Sequence, residues 1–163
     1  MFTADELNIV MRLDGQRSTM VEFHPMHMKV ANYRSFEQVL VDSYDEPHIQ
    51  AKYLDGYSFS GMRDGQIYVS FGMYPLWTGV ADLWMLPCVE LEERKLEFHK
   101  ACLRFFRHAA EKMKLRRLQC YVHSQNTPAL RWIELCYFNR EGLLKRYGPD
   151  SSDYFIYSRL FGE

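Results

Sequence analysis

The sequence predicts a mixed α/β (α+β) domain, a mostly antiparallel sheet with one parallel strand pair, flanked by helices. Three observations carry this. Two hairpins in series occupy residues 56–86. A long amphipathic helix over about 90–114 separates that meander from a strand at 117–123. A capped short helix then leads into a closing hairpin. The chain has 163 residues, 47% of them apolar and 25% charged. That is the size of one domain, 1–163, with a real core, and the composition excludes disordered and fibrous classes.

Residues 1–20 are a mixed polar segment to which no element is assigned. MVEFHPMH (20–27) alternates loosely and predicts a first strand. From Asn32 to about Leu54 the spacing of Phe36, Val39, Leu40 and Tyr44 predicts an amphipathic helix, with a second short one after Pro47. Asp64-Gly65 is a hairpin turn, because glycine tolerates the positive φ that a tight turn demands. It joins GYSFSGM to QIYVSFGMY, where Ile67, Val69, Phe71 and Met73 alternate on one face. Pro75 to Gly79 makes a second turn before the buried strand VADLWML (80–86).

In the long helix Phe98, Cys102, Phe105, Ala109 and Met113 recur at three and four residues. Glu90, Glu92 and Glu93 load its start, and Lys112, Lys114, Arg116 and Arg117 its end, as the helix dipole favours. The strand-helix-strand crossover from 80 to 123 requires parallel pairing at that one place. Asn126 or Thr127 caps the next helix, with Pro128 in its first turn and Ala129, Trp132, Ile133 and Cys136 on its apolar stripe. Two last strands, around 138–147 and 152–161, flank a Gly148-Pro149-Asp150 turn.

The net charge of −1 supplies no field that would draw the chain to nucleic acid or an anionic membrane, and neither is expected as a partner. The basic run from Lys112 to Arg117 is read as a helix C-terminus. No apolar run approaches the ~20 residues of a membrane span, and MFTADELNIV carries acids where a signal peptide needs bases, so a soluble, cytoplasmic domain is expected. Cys88, Cys102, Cys120 and Cys136 form no CxxC pair; three of them sit among apolar neighbours and read as buried small hydrophobes, and a reducing compartment fits best. His24 and His27, on a strand, would face opposite sides with no third ligand, so no metal is expected. Tyr74 and Trp77, placed at a turn, would form a patch suited to a protein partner.

The stretch NTPALRWIELCYFNREGLLKRYGPDSSDYFIYSRL (126–160) has an Asn opening a helix and a Phe-x-x-Glu-Gly strand leading into the last hairpin. It resembles the ending of the Gcn5-related N-acetyltransferase (GNAT) family, and the order of elements over about 20–161 is similar to that fold. GMYPLWTGVADLWML and LLKRYGPDSSDYFIYSRL look more particularly like GNAT-like proteins of tailed phages and prophages, a group that includes internal virion protein A.

The resemblance implies acetyl-CoA bound between two splayed parallel strands, with the main chain near Met85 and Leu86 meeting the pantetheine arm. It also implies a glycine loop for the pyrophosphate at the next helix start. No glycine lies between Gly79 and Gly142, and LPCVELEERKLEFHK (86–100) stands there with its carboxylates. Arg94 and Lys95 are the cations that would offset them. Asn126 would order the cofactor end of its helix. The position that relatives fill with an acidic Tyr is Ile133, and the small Gly before the next strand is Tyr137. Asp82 is the candidate base; Asp153, Tyr147 and His123 are weaker proton-transfer candidates. The function implied is acetyl transfer to an amine through a degenerate phosphate loop. The alternative is a catalytically inactive GNAT-like protein that contacts a phage or host protein, in the bacterial cytoplasm or the virion. Self-association is open in both.

Overall fold

The computed structural model describes residues 1–13, 18–52 and 55–162. Its helices are α1 (Ala4–Met11), α2 (Pro25–Val30), α3 (Ser35–Ser43), α4 (Glu46–Lys52), α5 (Lys95–Lys112) and α6 (Thr127–Leu135), and a 3₁₀ helix spans Val89–Arg94. Its strands are β1 (Ser18–Glu22), β2 (Ser58–Arg63), β3 (Gln66–Trp77), β4 (Val80–Pro87), β5 (Arg117–His123), β6 (Asn139–Leu144) and β7 (Tyr154–Leu160). They form one sheet in the order β1-β2-β3-β4-β5-β7-β6. Every pairing is antiparallel except β4 with β5, which the α5 crossover makes parallel, as expected.

The larger core lies on the face covered by α1, α5 and α6. Leu7, Met11, Phe71, Phe105, Phe106, Leu118 and Ile133 meet there. A smaller cluster on the opposite face joins Phe23, Met28, Tyr33, Ile67, Leu86 and Cys88. A sheet buried on both faces explains the high aromatic content.

The prelude is structured. Thr3 caps α1 and Glu6 closes a capping box. Glu6 also meets His108 and Lys112 of α5 at 2.7 and 2.8 Å, which holds α1 on α5. The strand expected over 20–27 ends at Glu22. Pro25 opens α2, with the ring nitrogen of His24 accepting the Met26 N–H and that of His27 accepting the His24 N–H. The two imidazoles are therefore caps of a helix start, where Pro has no N–H to lose.

The helix and the second short one expected within 32–54 are α3 and α4, the second starting at Glu46, before Pro47; Leu54 lies outside the described residues. The long helix divides. Glu90, Glu92 and Glu93 lie on the 3₁₀ segment, and α5 proper starts at Lys95.

Two further corrections concern β3. Ile67 packs in the smaller cluster whereas Val69, Phe71 and Met73 pack in the larger one. A bulge between Gly61 and Met62 makes Tyr68 an extra residue, which inverts the side-chain phase. Gly61 is needed there, since a Cβ would come within 2.5 Å of the Tyr68 ring. Pro75 is inside β3, beside a second irregularity, and the strand continues to Trp77. All four cysteines are buried and free. Burial pushes the Cys88 and Cys136 thiols up to about 12, as suits packing groups rather than nucleophiles.

Candidate active site

The parallel ladder between β4 and β5 lasts for three residue pairs, Val80–Arg117, Ala81–Leu118 and Asp82–Gln119. Both strands continue, β4 to Pro87 and β5 to His123, but apart. The apex is pinned by the Gly79 carbonyl, which accepts the N–H groups of Arg116 and Arg117 at 2.8 and 3.1 Å.

Beyond Asp82 the facing edges lack ladder partners. The Cys88 N–H donates to Tyr68 on β3 at 3.0 Å. Alternation then turns the main chain of Leu86 and Trp84 toward β3, and that of Met85 and Leu83 toward the gap. Pro87 faces the gap too and has no N–H to leave unpaired. Of Met85 and Leu86, the backbone of Met85 is the one open to the cleft.

The gap is the mouth of an open cavity of about 820 Å³. Met85, Leu86, Lys95 and Asn126 line it. Trp84 lines it from β4, seated over Gly72, where a Cβ would fall 2.7 Å from both its Nε1 and the Tyr57 carbonyl oxygen. Asn126 is buried and caps α6 through the Ala129 N–H at 3.4 Å. Lys95 pairs with Glu92, and Arg131 of α6, exposed at the same mouth, makes no ion pair among the described residues.

Arg94 is not on this wall. It binds Glu97 at 3.0 Å and borders a separate small hollow near Tyr68. Ile133 is buried beneath the cleft.

Asp82 lies at the last ladder pair, half-buried, one residue below the lining residue Leu83. It belongs to a polar set on the face away from α5. Arg117 binds Glu141 with two bonds of 2.6 and 2.8 Å and Gln119 with one of 2.6 Å. Gln119 donates to the Tyr121 hydroxyl at 3.1 Å. The Arg117 hydrogen bond, helped by Ser158, holds the Glu141 carboxyl down at about 2. Burial, then the Asp82 charge, pushes the Tyr121 hydroxyl up.

Tyr121 carries this set into the cavity, where it stacks on Tyr147 at 5.2 Å. From Tyr147 the rings run on to Tyr154 at 5.3 Å, His123 at 5.2 Å and Phe36 of α3 at 4.7 Å. His123 accepts the Gln125 N–H at Nδ1, 3.1 Å, so its neutral ring carries the proton on Nε2 and offers a donor, not a base. Asp153 binds the Arg146 N–H at 2.8 Å and is a loop tie.

Sequence reasoning did not single out Tyr121, Glu37, Tyr44 or Tyr154 as site residues, all of which line this cavity beside Tyr147. Alternation along RLQCYVH carried the one signal for Tyr121, since it places Arg117, Gln119 and Tyr121 on the face opposite the apolar Leu118 and Cys120. Among the described residues no cluster of His, Cys, Asp and Glu is arranged to hold a metal, and no helix is long and apolar enough to cross a membrane.

An Ard1 from Thermoplasma volcanium superposes with a TM-score of 0.73 at 16% identity, over 90% of this chain and 99% of that one. The acetyltransferase (GNAT family) from Bacillus anthracis gives 0.65 at 15% identity, over 88% and 95%. The chain has the GNAT fold. The ribosomal-protein-S18-alanine N-acetyltransferase of Escherichia coli is also similar, with a TM-score of 0.65 at 15% identity over 90% and 95%. In sequence, no family model and no curated protein matches the chain. The GNAT likeness is therefore one of overall fold and not of sequence.

Proposed function

We propose that the protein is an acetyl-CoA-dependent N-acetyltransferase with a degenerate phosphate site. The observation that carries this is the β4–β5 splay, which leaves the backbone edge of Leu83 and Met85 free to pair with an extended, amide-bearing chain. A pantetheine arm is such a chain. A similar GNAT structure, a microcin self-immunity acetyltransferase, is a complex with acetyl-CoA and AMP.

The fit differs along the cleft. The slot between the strands suits the arm. Where relatives have glycine N–H groups for the pyrophosphate, the 3₁₀ helix offers none, and Lys95 and Arg131 are the available cations. Acetyl-CoA supplies the activated acetyl group when bound.

The chain's own residues supply the rest. The Met85 N–H is the donor at the carbonyl position. Tyr121 already accepts the Gln119 amide, so its own proton is free to donate on the cleft side, the task relatives give to a Tyr at the Ile133 position. Asp82, which is not itself on the cavity lining, takes the acceptor's proton through water. Calorimetry with CoA and acetyl-CoA, beside thermal shift, tests the reading. Micromolar binding, weakened at least tenfold by Lys95→Glu or Arg131→Glu, supports it; no binding up to millimolar ligand overturns it.

A second reading has its own observation. Trp77 and Tyr74 at the end of β3 are 64% and 45% exposed, an aromatic patch suited to a protein partner. With the phage-like character of 72–86 and 143–160, this supports an inactive GNAT-shaped phage or prophage protein that contacts a virion or host component.

A further inference from the structure

The half of the cavity away from α5 and α6 is closed by α3. That helix brings Phe36, Glu37 and Leu40 to the lining, and Tyr44 follows at its end. Glu37 is 5% exposed, the one buried acid among the described residues. Arg34 donates to its Oε1 at 2.7 Å and is shared with Glu92 at 3.7 Å. Its Oε2 is buried and has no hydrogen-bond partner among the described residues.

A carboxylate oxygen withdrawn from water without a partner is costly, so this arrangement calls for a donor that the chain itself does not provide. Glu37 itself lines the cavity, so a donor seated there lies on the side of its unpartnered oxygen. The surroundings specify the donor. Tyr147, Tyr154 and His123 line the same cavity, their ring centroids 5.3 and 5.2 Å apart in that order. Tyr44, at the end of α3, lines the same cavity as both tyrosines and Glu37. A carboxylate in a cavity also lined by aromatic side chains favours a cation with an apolar body, because ring faces attract positive charge and the walls take up hydrocarbon.

We propose that Glu37 anchors the acceptor as an ammonium group carried on an alkyl or aryl body, enclosed by Tyr44, Tyr147 and Tyr154. This rests on the transferase reading for which half of the cleft the acceptor takes. Glu37 is an anchor and not the base: it fixes the nitrogen, and the proton leaves toward Asp82. The acceptor class is accordingly an apolar monoamine, not a neutral, anionic or sugar-like amine.

Calorimetry on the full chain with phenethylamine, phenethyl alcohol and phenylacetate tests this, with CoA titrated separately. The wild type binds the amine at least tenfold more tightly than the isosteric alcohol and rejects the carboxylate. Glu37→Gln reduces the amine to the level of the alcohol while CoA affinity stays unchanged. Equal affinity for amine and alcohol, no loss in Glu37→Gln, or no amine binding at millimolar concentration overturns the proposal. The amine-to-alcohol ratio on the wild type decides it even if the variant fails to fold. Glu37-dependent amine binding without CoA binding would retire the transferase reading and leave the ammonium site standing. CoA binding with no amine preference would do the reverse.

Discussion

Replacing Glu6 by Gln isolates the charge that fastens α1 to α5. Gln still completes the capping box with Thr3, so the helix start is preserved and only the ionic contact is lost. Partial burial opposes ionisation of Glu6, but hydrogen bonds from Lys112, His108 and the Thr3 N–H outweigh it and lower its pKa from 4.5 to about 2. At about 1.36 kcal/mol for each tenfold change in proton affinity, the ceiling is roughly 3.4 kcal/mol. Glu6 and Lys112 are 24% and 37% exposed, and solvent screening of such a pair leaves about 1 kcal/mol. Because the folded-state pKa is depressed, the contribution is complete above pH 4.5 and vanishes as pH falls through about 2. Urea unfolding of both proteins at pH 7 should differ by about 1 kcal/mol, or about 2–4 °C in Tm. The gap should close between pH 4.5 and 2. A gap that persists at pH 2, or none at pH 7, refutes the ionic account of α1 docking.

Asp82→Asn should lower turnover about 10²–10⁴-fold with an unchanged melting temperature, and undiminished turnover removes Asp82 from the mechanism. Tyr121→Phe should lower turnover while leaving CoA affinity intact; lost affinity would make Tyr121 a binding group. Phe105, 1% exposed and in ring contact with Phe2, Phe71 and Phe106, should cost about 3–5 kcal/mol on Phe105→Ala in chemical denaturation. A loss under 1 kcal/mol would mean that α5 repacks over the sheet.

Much of the fold was legible because its signals are local. Asn126 and Pro128 mark α6 through capping chemistry that depends on the adjacent turn alone. The crossover from 80 to 123 dictates a parallel pair whatever the packing. The misreadings share a different cause. At 20–27 alternation hid a helix whose cap is a His, outside the usual Ser/Thr/Asp/Asn set. Ile67 changed sides because a bulge is specified by the partner strand, where Gly61 makes the room.

The site was legible in part for the same reason. Met85 and Asn126 sit where a strand end and a helix cap must be. Glu37 carries no local sign of burial, since its shielding depends on α3 lying against β5 and the closing hairpin. Arg94 and Lys95 are adjacent, yet the change from 3₁₀ to α geometry between them sends one toward Glu97 and the other to the cleft.

The shortness of the β4–β5 ladder has a mechanical consequence. Three residue pairs are the sheet's own tie between a four-strand half and a three-strand half, and α5 spans the joint like a splint. The cleft thus opens from a short seam held by those three pairs, by the Gly79 carbonyl at its apex and by the helix behind it. A chain seated in the gap would complete the missing ladder and brace the halves.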